Sequence, residues 1–167
     1  MDIAAPSSGS PLQILQIRPI APLDAAAVAA LTGELGYART TEAVTRWIEQ
    51  LAALTELAAK HGDVVPAQAV LVACDEDAVL GWIQVEIQRH LQEEQRALIA
   101  GLVVSSNARS RGVGRQLCRA AEEWARAQGV KAVRVTSRST RERAHQFYLR
   151  DGYERVKTSE VFEKPLR

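Results

Sequence analysis

The chain has 167 residues, 47% of them hydrophobic and 25% charged, which suits one domain with a sizeable core and rules out a disordered or fibrous protein. No run approaches 18 consecutive apolar residues, and residues 1–11 lack a positive segment leading into an apolar one; the expectation is a cytoplasmic domain with neither a membrane span nor a secretory signal. The net charge of +1 conceals an asymmetry: residues 105–167 carry 15 basic and 7 acidic side chains, while residues 1–68 and 69–104 are each net acidic. A basic third is either a solvated face or a surface for an anionic partner.

Residues 1–11, small, polar and rich in Ser and Pro, read as a disordered tail, and 12–167 as a single domain. Leu12 to Arg18 predicts a strand that Pro19 and Pro22 end. Asp24 is a candidate N-cap, with Leu23 and Val28 as a hydrophobic staple, for a helix running to Leu35 and stopped by Gly36. Thr40 or Thr41 caps a second helix, whose core stripe is Val44, Trp47, Ile48, Leu51, Leu54 and Ala58, up to His61 and Gly62. Ala69–Cys74 and Val79–Gln88, separated by the turn Asp75–Asp77, predict a hairpin, with Trp82 as a core residue or, in the other reading, part of an acceptor pocket. Ala97 to Val104 is apolar throughout, the pattern of a central strand buried on both faces.

A polar connection, Ser105 to Arg111, leads into a helix from Gly112 to Gln128 that Gly129 stops. Lys131–Ser137 alternates like a strand, so strand, helix and strand form a right-handed βαβ crossover with parallel strands. Ser139 and Glu142 fit a capping box for a last helix to Asp151, and Tyr153–Lys157 and Glu160–Leu166 read as closing strands. The fold class is α+β, a mixed α/β domain. Cys74 and Cys118 have no metal or redox spacing and read as buried fillers, and three scattered histidines make no metal site.

The chemistry concentrates in Arg109-Ser110-Arg111-Gly112-Val113-Gly114-Arg115, between the apolar strand and a helix N-terminus. Glycines there let the backbone approach a ligand, and first-turn N–H groups with the helix dipole bind anionic oxygens. The segment is neither GxxxxGK[ST] nor GxGxxG, which disfavours ATP and NAD.

Arg109-x-x-Gly112-x-Gly114 resembles the [Q/R]-x-x-G-x-[G/A] signature of the GNAT superfamily of acyl-CoA-dependent N-acyltransferases, and Ala144-His145-Gln146-Phe147-Tyr148-Leu149-Arg150-Asp151-Gly152-Tyr153 is similar to its A-x-x-F-Y-x-x-x-G-[F/Y] segment. The resemblance spans roughly residues 12–167. It implies a central, mostly antiparallel twisted sheet with splayed fourth and fifth strands and about four flanking helices. Acetyl-CoA would be the co-substrate, with no metal. Its pantetheine arm would pair with Leu102, Val103 and Val104. Its pyrophosphate would lie on the N–H groups of Arg111, Gly112, Val113, Gly114 and Arg115, with Arg109, Ser110 and Arg115 beside them, and Ser137, Ala144, Phe147 and Tyr148 completing the cofactor surface.

The activity implied is transfer of an acetyl group to a primary amine by direct attack, without a covalent acyl-enzyme. Tyr148 takes the place of the proton donor to the leaving thiolate, a phenol being protonated at neutral pH; its other reading is an aromatic packed on the core. For the base, Glu86 on the third strand, His90 near the following loop, and a water chain compete, with Glu93 and Glu94 in the same region. The acidic residues between 75 and 94 could attract a cationic acceptor. A non-catalytic acyl-CoA sensor or interaction module is the alternative, an intact cradle and Tyr148 speaking against it. Nucleic-acid binding has no motif behind it. Acceptor and oligomeric state, a homodimer included, stay open.

Overall fold

The computed structural model describes residues 15–61, 67–76 and 78–166. The expected tail, the first residues of the first predicted strand and the Gly62 stop lie outside the described residues. The chain divides into two compact units, Met1–Thr136 and Ser137–Arg167.

The first unit holds one five-stranded sheet in the order β1-β2-β3-β4-β5: β1 (Gln16–Pro19), β2 (Gln68–Asp75), β3 (Ala78–His90), β4 (Glu93–Val104) and β5 (Val133–Val135). The first three pairings are antiparallel, and β4 and β5 are parallel, as the crossover requires. Helices α1 (Ala25–Glu34) and α2 (Thr41–His61) bury Ala25, Val28, Leu31, Val44 and Ile48 in one cluster with Val72, Cys74, Trp82 and Val103 of the sheet. Helix α3 (Val113–Ala127) packs against β2, β3 and β4. A Cβ on Gly81, the neighbour of Trp82, would stand 3.3 Å from Leu117 of α3 and 2.6 Å from the Val103 carbonyl, so α3 covers the face opposite Trp82 and only glycine fits there. Cys74 and Cys118 are both buried, as expected, and neither forms a disulfide.

Several local expectations are corrected. Asp24 stands at the α1 N-cap but its side chain makes no capping bond. Its carboxylate takes Arg18 Nη1 and Nη2 at 2.7 and 2.8 Å and the Ala21 N–H at 2.8 Å, because a buried charge is costly unless paired and a bidentate guanidinium pairs it best. The staple fails with it: Leu23 is 80% exposed. Thr40 does cap α2, its Oγ1 accepting the Ala43 N–H at 3.2 Å. Leu54, assigned to the α2 core stripe, is 59% exposed.

The third and fourth strands run past the expected Gln88 and Ala97 ends to meet in a second hairpin. His90 ends β3 and Glu93 begins β4, so the polar residues assigned to a loop are strand residues that pair with each other. Helix α3 begins after Gly112 and ends before Gly129, both left-handed, at φ +79° and +75°.

In the second unit, α4 (Glu142–Arg150) follows Arg141 without a side-chain cap, so the Ser139–Glu142 box does not form; the Arg141 N–H goes to the Arg138 carbonyl and the His145 ring to the same oxygen, each at 3.0 Å. Gly152 closes the helix at φ +93°. Residues 153–166 carry no strand pairing, against the expectation of two closing strands. Alternation supplies the pattern of a strand, and a strand also needs a hydrogen-bonded neighbour.

Burial pushes the Asp24 carboxyl up; the Arg18 hydrogen bonds, the Ala21 N–H and the guanidinium charge outweigh it and hold the carboxyl below its ordinary range. A depressed folded-state pKa contributes stability above the unfolded value that is lost as pH falls through the folded value. Asp24→Asn is therefore expected to cost about 3 kcal/mol at pH 7 by urea denaturation, a penalty that shrinks as the medium is acidified below about pH 4.

Candidate functional site

The β3–β4 ladder pairs Gln84 with Gly101 and Val85 with Ile99, which leaves Ala100 as an extra residue on β4. This bulge bends the strand and strengthens its twist. The parallel ladder to β5 covers only Ala97, Ile99 and Leu98 between them. Beyond it, Leu102, Val103 and Val104 remain paired with Ile83, Trp82 and Gly81 on the β3 side. Strand β4 thus lacks a paired neighbour along the second half of one edge, and Ala100 is exposed where burial on both faces was expected. An open strand edge of this kind accepts an extended chain by backbone pairing.

Trp82, on the α1/α2 face, lies against this stretch. A Cβ on Gly101 would come within 2.8 Å of its Cζ3 and Cη2, and the indole is buried with no partner at Nε1 among the described residues. The small residues Ala100-Gly101 inside an aliphatic run therefore serve a bulge and a close ring contact, a signal the sequence carried and its reading missed.

After β4, the loop to α3 is tied at several points. The Ser105 N–H bonds the Leu80 carbonyl at 2.8 Å, the Ala108 N–H bonds the Ser105 carbonyl at 2.9 Å, and Ala108 is buried. Ser110 is left-handed at φ +65°, and Gly112 follows at +79°. The first helical bond of α3 runs from the Gln116 N–H to the Gly112 carbonyl, so the N–H groups ahead of it, those of Val113, Gly114 and Arg115 with the helix dipole behind them, are the donors that a helix N-terminus offers to an anion. The Val113 side chain is buried, so only its backbone faces this role. These donors and the open edge fit a pyrophosphate with an extended arm. Arg109, expected to add charge here, has its Nη2 3.7 Å from Glu34, and Arg111, expected to offer its backbone N–H, has its Nη2 3.1 Å from Asp75.

Glu86, half-buried, pairs in register with Gln68 and Leu98, and Gln84 donates to Gln68 Oε1 at 3.2 Å on the same face as Trp82. Glu86 lies two residues from Gln84, the partner of Gly101, whereas exposed His90 lies six away, about 20 Å along the strand. Glu93 is tied to Arg96 at 2.7 Å and to Arg134 at 3.7 Å, so it is no isolated attractor of cations. In the second unit, Ala144, Phe147 and Tyr148 lie on α4 and Ser137 ahead of it; the Tyr148 ring meets Phe147 and Tyr153 edge to face, with centroids 5.1 and 5.5 Å apart. Among the described residues no cluster of ligands for a metal occurs, and no helix is long and apolar enough to cross a membrane.

The model of the acetyltransferase (GNAT) family matches residues 31–153. The chain belongs to the GNAT family. Aminoglycoside N(6')-acetyltransferase type 1 of Klebsiella aerogenes is 32% identical over 109 residues, 63% of this GNAT chain and 72% of the relative. Aminoalkylphosphonate N-acetyltransferase of Salmonella typhimurium is 38% identical over 76 residues, 45% of this chain and 49% of the relative. The aminoglycoside N-acetyltransferase AAC(6')-Iy, in complex with the bisubstrate analogue CoA-S-monomethyl-acetylneamine, superposes with a TM-score of 0.75 at 15% identity, covering 92% of this chain and 99% of that one. The GNAT fold, with its sheet mostly antiparallel and its fourth and fifth strands parallel, is as expected.

Gly112→Ala puts a Cβ on a left-handed residue with open space around it, so strain alone acts. The expected cost is about 1–2 kcal/mol, read by urea denaturation.

Proposed function

We propose that this GNAT protein is an acetyl-CoA-dependent N-acetyltransferase that transfers acetyl to a primary amine by direct attack. The observation that carries the reading is the bulged, half-open β4 running into a tied loop and a left-handed Gly112 at the start of α3. Leu102–Val104 would hold the pantetheine arm, and the backbone from Arg111 to Arg115 the pyrophosphate, with Arg109 and Ser110 at its margin. Bound acetyl-CoA supplies an activated acyl group and a thiolate leaving group. Holding that group beside an amine supplies much of the acceleration, since orientation alone is worth about 7–11 kcal/mol in favourable cases.

Glu86, half-buried beside the bulge's partner residues, is the base we assign to take a proton from the acceptor's ammonium, directly or through water, so that the neutral amine attacks the thioester carbonyl. Tyr148 Oη holds a proton at neutral pH and would pass it to the departing sulfur. Ser137, Ala144 and Phe147 are the further cofactor contacts that the family resemblance implies. The relatives named for aminoglycosides and aminoalkylphosphonates share an amine as acceptor, which supports the amine class. A polyamine such as an aminoglycoside is the first acceptor to try.

Calorimetric titration with acetyl-CoA, with ATP and NAD as controls, is expected to give selective micromolar binding; no binding overturns the reading. Gly112→Asp sets a carboxylate against the pyrophosphate and is expected to abolish that binding. Tyr148→Phe is expected to lower kcat by about 10²-fold or more while CoA affinity holds, because a positioned general acid contributes on that scale. Binding with no thiol release across an amine panel would favour an acyl-CoA sensor instead.

A further inference from the structure

An anion cradle made of backbone N–H groups works only when its loop is held, and this loop contains a strained residue, Ser110. Two carboxylates from distant parts of the chain hold it. Glu34 Oε2 accepts the Ser106 N–H at 3.1 Å and faces Arg109 Nη2 at 3.7 Å, gripping the loop near its start. Asp75 Oδ2 accepts Arg111 Nη2 at 3.1 Å, gripping it just ahead of Gly112. Glu34 is the last residue of α1, where a negative side chain opposes the helix dipole. A residue set against its local preference in this way points to a tertiary role.

We propose that Glu34 and Asp75 are positioning residues that keep the Ser105–Gly112 loop in its anion-binding form. The inference rests on the reading of that loop as the CoA pyrophosphate cradle. It runs against simple electrostatics, because a carboxylate beside a bound pyrophosphate repels it, and a residue acting through its charge alone would tighten binding when removed. Positioning has the opposite sign. For Glu34 it also depends on an acceptor for the Ser106 N–H more than on charge, and a glutamine amide oxygen supplies one.

The test compares the wild-type chain with Glu34→Ala, Glu34→Gln and Asp75→Ala, using calorimetric titration with CoA and amide hydrogen exchange of residues 105–112 in the ligand-free proteins. All three substitutions are at partly solvated positions, so the variants are expected to fold. Glu34→Ala is expected to weaken CoA binding about tenfold, the scale of one lost hydrogen bond to a charged group, with Glu34→Gln recovering to within about threefold of wild type. Asp75→Ala is expected to weaken binding in the same direction as Glu34→Ala, and exchange across the loop to quicken in both alanine variants. Equal or tighter CoA binding in Glu34→Ala and Glu34→Gln alike, or unchanged exchange in Glu34→Ala, overturns the proposal. A wild-type chain that binds no CoA, with exchange still quickened in Glu34→Ala, overturns the cofactor reading and leaves the clamp standing.

Discussion

Strand β4 is bonded along its length to β3 and over only three residues to β5. Backbone groups away from water must find partners, so a ladder that stops midway creates a demand that an extended ligand can meet. The extra residue at Ala100 is the local cause, since a bulge adds bend and twist to the strand that carries it. The rest of the first unit serves this break. α1 and α2 fill the face around Trp82 and α3 the opposite face around Gly81, so the sheet stays packed on both sides where its hydrogen bonding lapses.

The charge asymmetry acquires a structural reading. Basic residues crowd the last third, yet several meet carboxylates from the acidic two thirds: Arg109 with Glu34, Arg111 with Asp75, Arg134 with Glu93. Most of these pairs are partly solvated and contribute little to global stability. Their use is local, in fixing where a loop or a strand end lies. Arg18 and Asp24 differ because the carboxylate is buried, and there the pair ties β1 to the entry of α1.

Much of the architecture was legible because it is written in local chemistry. Period-2 and period-3.6 patterns located most of the strands and the helices, and Gly112 and Gly129 bracketed α3 where left-handed conformations are required. The cradle motif was readable for the same reason. Partner choice was harder to read. Asp24 looked like a cap because aspartate caps helices, and nothing local showed that Arg18 would claim it first. The polar run after Gln88 looked like a loop because its hydrogen bonds lie across the hairpin. The clamp at Glu34 joins residues 72 apart in the chain, beyond any spacing rule. In residues 153–166 the pattern of a strand was present and the ladder was not.

The contact between Trp82 and Gly101 bears on how this chain can change over evolutionary time. With no room for a Cβ beneath the indole, the two positions are not independent: a side chain at 101 is tolerated only after the ring at 82 has shrunk, and a shrunken ring leaves a void until 101 has grown. Each single step passes through a less stable intermediate, so the pair is expected to drift together or not at all. Because Gly101 adjoins the bulge, a lineage that crossed that barrier would also reshape the wall beside the open edge of β4. Packing and the shape of that wall therefore share one epistatic lock.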